Sequence, residues 1–319
     1  MAYIDFHIDT LMMYFHGYEG QSLYESDKMV DLKRMKEAGC YAQFFATFFP
    51  PEDHMDISDE EYRANLYTGL TEEIKMHSDI VSLTTSYKQY EENKAAGKIS
   101  AFMTFEDGRI VDGDMEKLKG FYDMGYRLIS LTWNGENCFG YPNSFDEEKM
   151  AKGLKPFGKE AIEVMNDLGI IIDVSHLSDG GFYDIVDITK KPFVASHSCA
   201  RALTPHSRNL TDDMIRKLAD KGGFCGINFA PAFTGPDISC TFSSVYNLAN
   251  HAEHLRNIGG IETVGLGSDW DGIGGTLEVG QPTDLYKLFD ELKKRGWSEE
   301  DIDKFAFKNA ERIIREVIG

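Results

Sequence analysis

The stretch IDFHIDT, residues 4–10, sets apolar Ile4, Phe6 and Ile8 against ionisable Asp5, His7 and Asp9. Alternation with period two is a strand signal, and it sends His7 and Asp9 to the same face. An imidazole and a carboxylate on one strand face need somewhere to point. Short apolar runs of the same kind recur near Tyr3–Ile8, Tyr41–Phe48, Ser100–Phe105, Arg127–Leu131, Ile170–Val174, Phe193–Ala195, Phe224–Asn228 and Thr263–Gly267. Segments of helical spacing lie between them. PFGKEAIEVMNDLG has Pro156 near its start and Gly169 just beyond its end, and TDDMIRKLADKGG opens on a Thr cap followed by two acids that the helix dipole favours. Eight strand–helix repeats with no Pro/Ser-rich linker predict an α/β fold, a (β/α)8 TIM barrel, over two doubly wound domains. Residues 1–319 then form a single barrel domain, with a helical insertion around 58–98 and ERIIREVIG as a C-terminal helix.

Composition agrees with a large globular core: 42% of the residues are hydrophobic, 12% are aromatic and only nine are proline. The net charge of -20, from 53 acidic against 33 basic residues, argues against nucleic acid and anionic membrane as partners. MAYIDFH has no basic stretch leading into a long apolar one, and no segment approaches the roughly 20 apolar residues of a membrane span. The sequence therefore predicts a cytoplasmic protein with no membrane contact. Five widely spaced cysteines without a CxxC pair read as reduced thiols, not as zinc ligands.

In a barrel of this kind chemistry sits at the C-terminal ends of the strands. The first run ends in His7 and Asp9, the third in Glu106, the fifth leads into His176, the sixth into His197, and the eighth into Asp269 and Asp271. Any one of them alone is adequately explained as a turn-former or a helix cap. Turn chemistry gives no reason for three of the nine histidines to gather at one mouth. Neutral imidazole and carboxylate suit zinc, with iron or manganese as other occupants, and a pair of metals needs a bridging carboxylate with terminal ligands on either side.

The motifs FHIDT, TFEDG, YRLISLTWNGEN, IIDVSHLS, VASHSCARALTPHSRNLTDDMI and VGLGSDWDG, in that order, resemble those of the membrane dipeptidases, the renal dipeptidase-like M19 metallopeptidases, in their soluble microbial form. The resemblance runs from about residue 4 to the C-terminal segment LFDELKKRGWSEEDIDKFAFKNAERII. It implies two zinc ions per chain, with His7 and Asp9 on the first, Glu106 bridging, and His176 and His197 on the second. It also implies that Arg208 holds the substrate's C-terminal carboxylate and that Asp269 handles the proton of the water. The implied reaction is hydrolysis of dipeptides by a hydroxide shared between the metals, with D-residues tolerated at the C-terminal position. A homodimer remains open. Where renal-type enzymes have a histidine after LT, this chain has Trp133, whose indole donates a hydrogen bond but cannot titrate. Trp133 reads either as a substrate contact or as packing at the barrel rim.

Other residues read more plainly. His206 is a loop imidazole bonded to backbone, with the substrate pocket as its other reading, and His251 and His254 are surface or packing residues of one helix. His16, His54 and His77 carry no metal argument. Asp173 and Asp5 either orient ligands or fill a polar layer of the barrel, and Asp271 forms a turn beside Gly272. Two further functions stay open: a metal-dependent amidohydrolase acting on an N-acyl amino acid, lactam or lactone, and a metal-loaded barrel that binds peptides without cleaving them.

Overall fold

The computed structural model describes residues 1–15, 22–51 and 56–319, so His16 and His54 lie outside the described residues. Eight parallel strands close into a barrel: β1 Tyr3–Ile8, β2 Cys40–Phe48, β3 Ile99–Glu106, β4 Tyr126–Ser130, β5 Ile171–Asp173, β6 Val194–Ser198, β7 Phe224–Ile227 and β8 Val264–Leu266. Each strand pairs with the next in the chain, and β8 returns to β1 through Asp5 and Leu266. These are the eight predicted runs, within a residue or two at most ends. Helices surround them, and the Thr211 hydroxyl caps Asp212–Asp220 by accepting from Met214 N at 3.2 Å, as the sequence predicted.

The stretch between β2 and β3 holds helices Asp59–Met76 and Tyr87–Ala95, together with a short strand, Val81–Leu83, where the sequence suggested helix throughout. Its partner explains the difference. β4 joins β3 only from Met103 onward, so the lower edge of β3 is open, and Val81–Leu83 pairs there with Ile99–Ala101.

The barrel interior is apolar at its floor. Phe6 stacks on Phe44 at 4.2 Å between ring centroids, and Phe44 on Phe102 at 4.7 Å. Ala310, Ile313, Ile314 and Val317 of the C-terminal helical segment pack against the same cluster and close the bottom. Apolar closure below leaves the upper end as the route for a ligand.

Strict alternation would put Phe6 and His7 on opposite faces, yet Phe6 belongs to the floor and His7 to the mouth. The β1–β2 register resolves this, because Asp5 pairs with Gln43 but Ile8 pairs with Phe45, so β1 carries one extra residue between them. β6 does the same between Ala195 and Ser198 against Cys225 and Ile227, around His197. Such bulges re-aim side chains near active sites. Two glycines make room beside the second one: a Cβ on Gly226 or Gly267 would lie 2.1 or 1.8 Å from the Ser196 carbonyl oxygen.

Gly267→Ala should therefore force backbone apart and destabilise the barrel by about 2–3 kcal/mol. Urea denaturation checks this, and an unchanged midpoint would contradict the packing described.

Candidate metal centre and active site

The backbone brings the candidate ligands His7, Asp9, Glu106, His176 and His197, together with Trp133, Arg208 and Asp269, to the upper end of the barrel. Asp9, Glu106, Trp133, His176, Arg208 and Asp269 line one cavity of about 590 Å³. His7 and His197 lie at its base, almost wholly buried. The chain leaving β8 is tied to β1, since Asp269 N donates to His7 O at 3.1 Å and Asp9 N donates to Trp270 O at 3.0 Å. Asp269 holds a left-handed backbone with φ 63°, a conformation that Asp tolerates better than most residues. Gly272 keeps the space between carboxylates clear, because a Cβ there would sit 1.9 Å from Asp9 Oδ2 and 2.6 Å from Asp269 Oδ1.

Glu106 occupies the centre. Its Oε1 lies 2.9 Å from His176 Nε2 and 3.4 Å from His197 Nε2, while Oε2 faces His7 Nε2 at 3.3 Å. His7 Nε2 also stands 3.6 Å from Asp9 Oδ2 and 3.9 Å from Asp269 Oδ1. The donor atoms of His7, Glu106 and His197, and separately those of His7, Asp9 and Asp269, converge closely enough to share an ion. These two groupings differ from the ligand pairs that the family resemblance implies, because the His7 and His197 rings stack at 3.7 Å and bring their nitrogens together.

The electrostatics follow from crowding. Burial opposes ionisation of Glu106, but His7, His176 and His197 outweigh it and hold its carboxyl well below the usual range. Burial would lower His7, but Glu106 and Asp9 raise it well above an ordinary histidine. Burial and the Glu106 charge push Asp9 well up, and burial raises Asp269. Burial and Arg208 take His176 down to about 4, and burial with His7 lowers His197. Both histidines are therefore neutral near pH 7, with a nitrogen lone pair available to a metal.

His7 Nε2, Glu106 Oε2 and Asp9 Oδ1 are buried without a hydrogen-bond partner. Unpartnered buried polar atoms are costly, and three at one point, all of ligand type, suit a bound cation. By this test the residues fit a metal of the N/O-preferring kind.

Behind the ligand atoms lies a hydroxyl network that the sequence reading did not anticipate. Asp173 accepts from Ser130 Oγ, from Ser175 N and Oγ at 3.0 and 2.7 Å, and from Ser196 N and Oγ at 2.8 and 2.6 Å. Ser196 Oγ in turn meets His197 Nδ1 at 2.7 Å. With its proton given to Asp173, Ser196 accepts from Nδ1–H, which leaves Nε2 as the lone-pair nitrogen. Both expected roles of Asp173 are thus combined: it is the polar layer and, through Ser196, it orients His197. Asp5 braces the other side, accepting from His7 N at 3.2 Å and Ser268 N at 3.0 Å. By sequence Asn228 is only the end of a strand. It donates from Nδ2 to Asp269 Oδ2 at 2.7 Å, its amide fixed by Ala230 N on Oδ1.

Arg208 is buried, and its Nε and Nη1 have no partner, while Nη2 donates to His197 O at 3.1 Å. A buried guanidinium at a cavity wall with two open nitrogens calls for an anion. His206 satisfies both of its readings, since it lines the cavity and accepts Arg208 N at 3.0 Å, and burial with Arg208 holds it near 4. Trp133 stands edge-on to Phe48 at 4.9 Å and 6.2 Å from the His176 ring. Asp271 ties the turn to two segments, accepting from Thr10 Oγ1 at 2.7 Å and Met29 N at 2.8 Å. His251 accepts Ala200 N at 3.1 Å, His254 pairs with Asp212, and His77 lies beside Glu73. None of these three touches the centre.

The family model described as membrane dipeptidase, peptidase family M19, matches residues 1–318. Dipeptidase tcpJ of Claviceps purpurea is 28% identical over 324 residues, covering 99% of this chain and 74% of that protein. Among solved structures, the M19 metallopeptidase dipeptidase AC superposes with a TM-score of 0.89 at 24% identity, covering 100% of this chain and 99% of the other. A metallopeptidase from Rhodobacter sphaeroides, liganded with a phosphinate mimic of the dipeptide L-Ala-D-Ala, gives 0.88 at 24% identity, with 99% of both chains covered. At that identity the two structures speak to the fold.

Asp173→Ala should lower stability by about 3 kcal/mol or more, because it strands several buried donors at once. Thermal unfolding of the metal-free protein measures it, and a loss below about 1 kcal/mol would contradict the network.

Proposed function

Because the chain belongs to the membrane dipeptidase family, peptidase family M19, we propose that its barrel mouth is a two-zinc centre that hydrolyses dipeptides. Membership makes the chain a metallo-dipeptidase, a hydrolase of peptide bonds. The observation that carries the finer reading is the divided orientation of Glu106, one oxygen toward His176 and His197 and the other toward His7. In this reading His7 and Asp9 hold one ion, His176 and His197 the other, and Glu106 serves both. The chemistry that a metal pair supplies when bound is ionisation of a shared water near neutral pH and polarisation of a carbonyl.

The chain's own groups do the rest. Arg208 binds the C-terminal carboxylate through its open Nε and Nη1, where a planar fork gives orientation as well as charge. Asp269 takes a proton at Oδ1 and returns it to the departing amine, while Asn228 holds Oδ2 and so fixes which oxygen acts. The carboxylates that line the cavity make its mouth acidic, which suits a free ammonium. Recognition of both termini favours a short substrate whose ends are free. The phosphinate mimic of L-Ala-D-Ala bound by the Rhodobacter sphaeroides protein supports tolerance of a D-residue at the C-terminal position here. No helix among the described residues is long and apolar enough to cross a membrane. The five cysteines are all free, as suits the reducing cytoplasm in which we place the protein.

Removing metal with a chelator should abolish hydrolysis of L,L and L,D dipeptides, and zinc should restore it. Arg208→Ala should raise KM about 30-fold or more through loss of a buried charged contact. Asp269→Asn should lower kcat by about 100- to 10,000-fold with KM nearly unchanged. Steady-state kinetics on a dipeptide panel separates these, and chelator-resistant turnover, or an Arg208→Ala variant with wild-type KM, would contradict the assignment.

A further inference from the structure

A second cavity, of about 750 Å³, opens beside the first, and Trp133 and Asn134 line both. Its other walls include Asp107, Arg109, Asp112 and Glu136. We propose, resting on the dipeptidase reading above, that Trp133 is the partition that confines the substrate to two residues by closing this cavity to an N-terminal extension.

Barrel order gives the direction. Arg208 lies in the segment between β6 and β7, whereas the second cavity is built from the segments that follow β2, β3 and β4. In a closed ring of eight strands β6 and β7 stand across from β2 and β3. A peptide anchored by its carboxylate at Arg208 and crossing Glu106 therefore points its amino end at the second cavity, and meets Trp133 first. The indole is held in place, edge-on to Phe48 at 4.9 Å on one side and tilted over His176 at 6.2 Å on the other. A flat, braced side chain of this size makes a wall.

The space behind the wall keeps one carboxylate for an amino terminus. Arg109 there is matched by Asp59 through bonds of 2.8 and 2.7 Å, Glu136 by Lys155 at 2.8 Å and Asp112 by Lys117 at 3.6 Å, while Asp107 accepts from Arg109 N and the Asn137 amide. With the wall removed, a tripeptide would place its second peptide bond at Glu106 and its ammonium toward Asp107. Hydrolysis there adds one water across that bond, the hydroxyl to the carbonyl carbon and the proton to the leaving nitrogen. The products are an N-terminal dipeptide and a free C-terminal amino acid.

The test uses the zinc-loaded protein, a panel of dipeptides, and each dipeptide extended by an N-terminal glycine, with products identified by mass spectrometry. Trp133→Ala should raise the tripeptide-to-dipeptide ratio of kcat/KM by about tenfold or more, whatever happens to the dipeptide rate itself. Trp133→Phe, which keeps a ring at the wall, should leave the ratio close to wild type. If Trp133→Ala fails to fold by circular dichroism, Phe48→Ala removes the brace instead and should raise the same ratio by a smaller factor. A folded Trp133→Ala, or failing that a folded Phe48→Ala, whose ratio stays at the wild-type value overturns the partition and leaves the dipeptidase reading standing. A Trp133→Phe variant as permissive as Trp133→Ala overturns it too. A wild type inactive on every dipeptide overturns the dipeptidase reading, and this inference with it.

Discussion

One buried carboxylate organises this molecule. Glu106 sits at the top of β3 with three imidazole nitrogens within 3.4 Å of its oxygens and almost no access to water. A charge there is tolerable only if its surroundings answer it, because desolvation of an isolated carboxylate costs several kcal/mol. The imidazoles supply part of the answer. The nitrogen of His7 and the oxygen of Glu106 left without hydrogen bonds supply the rest of the argument, since they describe a place for positive charge that side chains alone do not fill.

Much of the backbone around the centre serves to hold this arrangement. The Ser196 carbonyl fits between Gly226 and Gly267, so β6 can lie close against its neighbours just where His197 turns inward. Asp173 collects three serines and through one of them sets the tautomer of His197. Asp5 collects the backbone of His7 and of Ser268, which joins the first strand to the last. The site is thus built on strands braced by buried polar contacts, the kind of support that holds ligating atoms in one geometry.

The fold was legible because period-two apolar runs and helical spacing survive in a single sequence, and the barrel then made strand ends worth reading. Residues such as Glu106, His176 and Asp269 follow directly from that rule. His7 and His197 were found by it too, though for an incomplete reason: each sits at a register slip, and register belongs to a pair of strands, so one strand's alternation cannot show it. The serines around Asp173 and the amide of Asn228 were passed over because Ser and Asn at strand ends ordinarily read as turn chemistry. Val81–Leu83 was missed because what makes it a strand is the open edge of β3, a tertiary fact. Trp133 was noticed only as a departure from a motif, and its place between two cavities gives it a physical meaning.

Glu106 is proposed to serve two metal ions at once. Anomalous X-ray diffraction at the zinc absorption edge, on crystals grown with zinc, would count and place them. Two peaks about 3.5–4 Å apart are expected, one beside His7 and Asp9 and the other beside His176 and His197, with a Glu106 oxygen on each. A single peak at full occupancy, or two peaks of which only one contacts Glu106, would contradict it.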